Sequence, residues 1–130
     1  MDRLFLDANV LFSAAYRPDA GIARLWQISD VELMTSAYAA EGARINLTER
    51  DQRNRLETLL ERVKIVVGIS GLPAGITLPE KDQPILQAAI QAQATHLLTG
   101  DKRHFGRYFG KSYGGVLVVG PSEYFKARVF

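Results

Sequence analysis

Four acidic side chains, Asp7, Glu41, Asp82 and Asp101, come from separate stretches of the 130-residue sequence, and their type fixes the chemistry open to them if the fold gathers them. Two carboxylates about 4 Å apart at an effective dielectric of 20 repel by roughly 4 kcal/mol. A divalent cation cancels that repulsion, and a set of carboxylates with water suits a hard ion such as Mg²⁺ or Mn²⁺. The sequence has no cysteine, so thiolate metal sites and disulfides are excluded, and any metal must be held by oxygen or histidine. His96 and His104 are the only histidines, and no constellation of serine, cysteine and histidine competes for a nucleophilic role.

Each acid also has a plain structural reading. Asp7 could cap a loop, as could Asn9 two residues on. Asp101, in TGD, could be a turn aspartate ahead of a helix. Asp82 could simply complement a helix dipole, and Glu41, among alanines and glycine, could face water.

The elements that must position these acids follow from the apolar pattern. Arg3 to Leu6 reads as a buried strand that delivers Asp7 to the carboxyl edge of a sheet. Gly21 to Ile28 has helical spacing and serves as the first crossover helix. Val31 to Thr35 reads as a strand, and Ser36 caps a helix through AYAAEGARINL that places Glu41 about two turns inside. Thr48 to Val63 is an amphipathic helix with Leu56, Leu59, Leu60 and Val63 on one stripe. Lys64 to Val67 is a short strand, followed by a glycine and proline loop. Pro84 sits in the first turn of a helix continuing through ILQAAIQAQA, which puts Asp82 at its positive end. His96 to Leu98 and Val116 to Val119 are strands, the first stopped by Thr99, Gly100 and Asp101, and Pro121 opens a last short helix. This alternation predicts a three-layer α/β/α sandwich around a mostly parallel sheet of about five strands, in a single domain over residues 1–130.

The hydrophobic fraction of 47% with 23% charged residues is that of a globular chain with a full core. A formal net charge of +2 does not by itself argue for a nucleic-acid partner. The first residues lack the pattern of a signal peptide and no stretch has the roughly 20 apolar residues of a membrane span, so a cytoplasmic location is expected.

FLDANVLFSA, a mid-chain helix carrying Glu41, KDQPIL and LLTGDKRHF, in this order and each at a strand or helix boundary, resemble the PIN-domain nuclease family, of the VapC-like toxin type. The resemblance spans nearly the whole chain. It implies a metal-dependent endoribonuclease, often the toxin of a toxin-antitoxin pair, in which Asp7, Glu41, Asp82 and Asp101 hold Mg²⁺ or Mn²⁺. It also implies a homodimer, with an antitoxin protein as a further partner. Asn9 and Thr99 match positions that would orient ligands or water from behind the metal ligands, although both could equally be turn formers. Many relatives carry a further acid after the position of Asp101, where this sequence has Lys102, Arg103 and His104, so one metal is implied more firmly than two. One ion can polarise a scissile phosphate and activate water, with a carboxylate such as Asp82 receiving the proton.

The stretch KRHFGRYFGKSY after Asp101 interleaves Lys102, Arg103, His104, Arg107 and Lys111 with Phe105, Tyr108, Phe109 and Tyr113. Cations for phosphates and rings for bases would suit single-stranded RNA. Phe105 and Phe109, at helical spacing, could instead be core, leaving the cations as an ordinary solvated face. Arg44, Arg50, Arg53, Arg55 and Arg62 form a second basic set that nearby acids neutralise, which suits a surface or dimer contact. Two other readings stand beside the ribonuclease. One is a haloacid-dehalogenase-type phosphatase with Asp7 as covalent nucleophile, although that pattern wants an acid where Asn9 stands. The other is a non-catalytic module that binds RNA or protein.

Overall fold

The computed structural model describes residues 1–66, 83–101, 105 and 108–128. Among the described residues, six strands form one sheet: β1 (Asp2–Leu6), β2 (Val31–Ser36), β3 (Lys64–Val66), β4 (His96–Leu98), β5 (Ser112–Tyr113) and β6 (Val116–Val119). Their order is β3-β2-β1-β4-β6-β5, parallel throughout except for the β5–β6 pair. The helices among the described residues are α1 (Ala8–Tyr16), α2 (Ala37–Asn46), α3 (Arg50–Leu60), α4 (Gln83–Gln91) and α5 (Pro121–Ala127), with a 3₁₀ segment over Gly21–Gln27. They complete the three-layer α/β/α arrangement expected of the sequence. Among the described residues, no helix is long and apolar enough to cross a membrane.

The central strand explains itself. Leu4, Phe5 and Leu6 in β1 are fully buried, as are Leu97 and Leu98 in β4 beside them. A strand covered on both faces reads as a continuous apolar run rather than an alternating one. Helices contribute Val10, Leu11, Ala14 and Ala15 from α1, Leu56 from α3 and Leu86 and Ala89 from α4 to the same core.

Four local features differ from the sequence expectation. First, α1 follows Asp7 directly and is the crossover helix, while Gly21–Gln27 is 3₁₀. The buried Val10, Leu11, Ala14 and Ala15 form the i, i+1, i+4, i+5 stripe that drives it. Second, the helix opening at Arg50 is preceded by Glu49 rather than Thr48, and the Gln52 side chain accepts the Glu49 N–H at 3.2 Å. Third, α4 stops at Gln91 instead of running through Ala94. Gln93 takes the left-handed conformation at φ 59°, and the bonds Ala94 N–H to Ala89 C=O (3.0 Å) and Gln93 N–H to Ile90 C=O (3.0 Å) close a Schellman motif. Fourth, the sheet gains the edge strand β5, because Gly114 and Gly115, at φ 58° and 84°, make the two-residue turn that folds it antiparallel onto β6.

Candidate metal-binding cleft

Because β2 and β3 lie on one side of β1 and β4 on the other, the connections leaving β1 and β4 diverge. Such a switch point opens a crevice beyond the carboxyl ends of the two strands. Asp7 follows β1, and Thr99, Gly100 and Asp101 follow β4. The Asp7 N–H continues the ladder onto the Leu98 C=O at 3.1 Å, and the Thr35 hydroxyl donates to the Leu6 C=O at 2.7 Å, so the backbone on both sides of this point is pinned.

Asp7 is only 4% exposed and is the N-cap of α1. Its Oδ1 accepts the Ala8 N–H at 2.7 Å, and its Oδ2 accepts the Thr99 hydroxyl at 2.7 Å and the Asn9 amide at 3.0 Å. Thr99, with no exposed surface, returns its oxygen to the Asp101 N–H at 3.0 Å and to Asn9 Nδ2 at 3.2 Å. The Asn9 Oδ1 then accepts the Gly100 N–H at 2.7 Å. A Cβ at position 100 would come within 3.3 Å of that oxygen, a tight contact that the amide would have to ease by a small shift. One hydroxyl and one amide thus tie the end of β1 to the end of β4 and fix the Asp7 carboxylate against rotation.

Asp7 and Asp101 line a single cleft of about 570 Å³, together with Asn9, Phe12, Tyr38, Gly42, Asn46 and Ile85. Its far wall is α2, whose Tyr38, Gly42 and Asn46 recur at every fourth residue on one face. Ser36 caps that helix by accepting the Ala39 N–H at 3.1 Å, and Gly42 brings it close to α1, where an added Cβ would meet Ala8 Cβ at 3.4 Å. Phe12, Tyr38, Gly42 and Asn46 are cleft residues that the sequence alone does not mark. The fourfold spacing from Tyr38 to Asn46 was the available signal, but only a packing partner for α2 tells which of its faces looks into a cleft.

The other expected residues are placed differently. Glu41 is on α2 as expected, yet it is not among the cleft-lining residues, and its half-exposed carboxylate lies 2.5 Å from Arg44 Nη1. Asp82, Lys102, Arg103, His104 and Arg107 lie outside the described residues. Lys111 is exposed. The rings between the cations belong to the interior: Phe105 is fully buried, Tyr108 nearly so, and Phe109 and Tyr113 pack on the core, with Tyr108 and Tyr113 edge to face at 5.1 Å. Burial takes Phe105 and Tyr108 out of the base-stacking half of the expectation for KRHFGRYFGKSY. Three members of the second basic set, Arg44, Arg53 and Arg55, have structural partners. Arg55 donates to the Ala15 and Tyr16 carbonyls at 3.0 and 3.1 Å at the end of α1, and Arg53 to the Leu47 carbonyl at 3.1 Å just beyond α2. Arg44 is engaged by Glu57 and Glu41, and hydrogen bonding to Glu57 is the main influence raising its guanidinium pKa, against a desolvation that lowers it.

Among the described residues, no three of His, Asp or Glu are grouped closely enough to hold a metal ion. Two carboxylates on one open cleft do fit the chemistry of a hard cation, since Mg²⁺ is commonly held by one or two carboxylates and keeps several waters.

The PIN domain family model matches residues 3–103 of the sequence. No curated protein is similar enough in sequence to count as a relative. Among solved structures, VapBC2 from Rickettsia felis bound to a promoter DNA fragment shares 14% identity over 91% of this chain and 98% of the matched chain, with a TM-score of 0.62. VapBC-1 from nontypeable Haemophilus influenzae shares 17% identity over 92% and 98%, with a TM-score of 0.59. These likenesses show a shared fold, and the family match sets aside the phosphatase alternative. The chain belongs to the PIN domain family, whose members are typically nucleases and generally use divalent metals.

Proposed function

We propose that this chain is a Mg²⁺- or Mn²⁺-dependent endoribonuclease acting on single-stranded RNA, in one domain and in the cytoplasm. The observation that carries the reading is that Asp7 and Asp101 line one cleft at the switch point of a PIN domain. Asp7 and Asp101 would hold the cation, with Asp82 and Glu41 added by resemblance to the family. When bound there, such an ion supplies Lewis acidity toward a phosphate oxygen and lowers the pKa of a water.

The chain's own part is positioning and proton handling. Thr99 and Asn9 hold the Asp7 carboxylate in one orientation through bonds of 2.7 and 3.0 Å. Tyr38, Asn46 and Phe12 form walls along which an RNA strand can lie. Asp82 takes the proton of the attacking water as the new P–O bond forms, and the P–O bond to the leaving oxygen breaks with that oxygen protonated from solvent. Lys102, Arg103, His104, Arg107 and Lys111 would contact phosphates. Base stacking is not assigned to Phe105 or Tyr108, which are core residues.

The matched solved structures are VapBC assemblies, one of them on promoter DNA. By that likeness we include in the reading a toxin role, with an antitoxin partner and a homodimer of this chain. Co-purification with the product of the adjacent open reading frame tests the first, and light scattering on the isolated chain the second.

The test of the activity is incubation of purified protein with single-stranded RNA, duplex RNA and single-stranded DNA, each with Mg²⁺, Mn²⁺ or a chelator. Metal-dependent cleavage confined to single-stranded RNA is expected. Inertness on every substrate in both metals would leave the non-catalytic binding module as the better reading, and cleavage undiminished by chelator would overturn the metal role.

A further inference from the structure

Arg44 stands between two carboxylates from different helices. Its Nε and Nη2 grip Glu57 of α3 at 3.1 and 2.7 Å, and the remaining Nη1 reaches Glu41 of α2 at 2.5 Å. The side-on grip uses one edge of the guanidinium and leaves the outer nitrogen for the second acid, a fork that a lysine cannot make. Glu57 projects from a turn of α3 whose backbone is fixed by the fully buried Leu56, while its own carboxylate is about half exposed and holds Arg44 through three contacts of 2.7 to 3.2 Å. Glu41 directly precedes Gly42, which lines the cleft and lies against Ala8, the residue after Asp7. The backbone of Glu41 is therefore one residue from the cleft wall while its carboxylate is drawn to Arg44.

We propose that Arg44, anchored by Glu57, competes with a divalent cation for the Glu41 carboxylate and so sets how tightly the cleft binds that cation. The inference rests on the nuclease reading above, in which Glu41 is a ligand. Release of Glu41 leaves Arg44 still neutralised by Glu57, so surrendering it strands no charge. The Arg44–Glu41 pair is half exposed, with side-chain exposures of 36% and 57%, so its hold is modest. A pair of this kind corresponds to about a two- to fivefold change in cation affinity.

The test is Mn²⁺ binding to the full chain without RNA, read from the electron paramagnetic resonance signal of the free ion. Wild type is compared with Arg44→Gln, Arg44→Lys, Glu41→Gln, Asp7→Asn and the Arg44→Gln/Glu41→Gln double variant, each checked for an unchanged fold by circular dichroism. Arg44→Gln and Arg44→Lys are both expected to bind Mn²⁺ about two- to fivefold more tightly than wild type. Glu41→Gln is expected to bind more weakly, and adding Arg44→Gln to it should change nothing. If Arg44→Lys matches wild type, or if the Arg44→Gln gain survives in the Glu41→Gln background, the effect is bulk charge and the proposal is wrong. Weaker binding by Arg44→Gln would mean that Arg44 presents Glu41 rather than withholding it, which also overturns it. Wild-type binding that Asp7→Asn abolishes but Arg44 does not influence would sink this inference alone. No Mn²⁺ binding by any form would sink the metal reading and this inference with it.

Discussion

Replacing Thr99 by valine removes one hydroxyl and almost no volume from the point where β1 and β4 are joined. Three contacts are at stake: the 2.7 Å bond to Asp7 Oδ2, the 3.0 Å bond from the Asp101 N–H and the 3.2 Å contact from Asn9. The first goes to a carboxylate and is worth about 1.5 to 3 kcal/mol. Thr99 has no exposed surface, so water cannot take the place of the lost hydroxyl. The Asp101 N–H belongs to a half-buried residue and recovers part of its loss by hydration, while Asn9 keeps Asp7 as acceptor. The sum is a destabilisation of about 2 to 4 kcal/mol, or a fall in Tm on the order of 10 °C for a chain of this size. Urea unfolding in metal-free buffer reads it directly, with the midpoint falling and the slope unchanged. Thr99→Ser is the control: it keeps the hydroxyl and loses one methyl, which costs about 1 kcal/mol. A valine variant within about 0.5 kcal/mol of wild type, or a serine variant that falls as far as valine, would refute the claim that this hydroxyl holds the two strand ends together.

Three further outcomes follow from the same geometry. Gln93→Gly relieves a left-handed residue at the end of α4 and should stabilise the chain by about 1 kcal/mol; a thermal melt showing loss would contradict the Schellman assignment. Phe105→Ala should cost about 3 to 5 kcal/mol as a core deletion; a stable variant defective only in RNA binding would restore the stacking role denied to it here. His96 packs edge to face on Tyr124 and its ring meets the Thr95 hydroxyl, and burial lowers its pKa below the usual 6.5 despite the opposing pull of Asp2. The neutral ring is then favoured in the native state, so its contribution is full above 6.5 and is lost as pH falls below that value, where the unfolded chain takes up the proton first. Urea midpoints at pH 7 and pH 5 should therefore differ less for His96→Gln than for wild type, and an equal difference would remove His96 from the account.

What could be read from the sequence was what short-range pattern determines. The apolar run before Asp7, the strand before Thr99 and the cap at Ser36 each carry their signal within a few residues, and the parallel strands they imply are observed, with only the edge strand β5 added. The 9-residue helix α1 is hard to see in the sequence because its stripe of Val10, Leu11, Ala14 and Ala15 follows the strand with only Asp7 between, a single residue that both ends β1 and caps the helix. The end of α4 was hidden because glutamine, rather than glycine, takes the left-handed position there. Within the candidate site, the bond between Asp7 and Thr99 joins residues 92 apart in sequence, so the hydrogen bonds that run on to Asp101 can be anticipated from sequence only as roles and not as partners. The Arg44 fork illustrates the limit most clearly. Glu41 and Arg44 are three apart on one helix and invite pairing from sequence, but Glu57 comes from another helix, and only packing reveals that it locks the arginine.

The central claim is that Asp7 and Asp101 act together on a phosphodiester through one bound cation. It is tested most directly by the rate of cleavage of one labelled single-stranded RNA as Mn²⁺ is raised, for wild type, Asp7→Asn and Asp101→Asn with their folds verified. The account predicts a saturating rise for wild type and a loss of about a hundredfold or more in both variants at every metal concentration, beyond what outer partners of a metal ligand usually cost. Rates in either variant within a fewfold of wild type would contradict it.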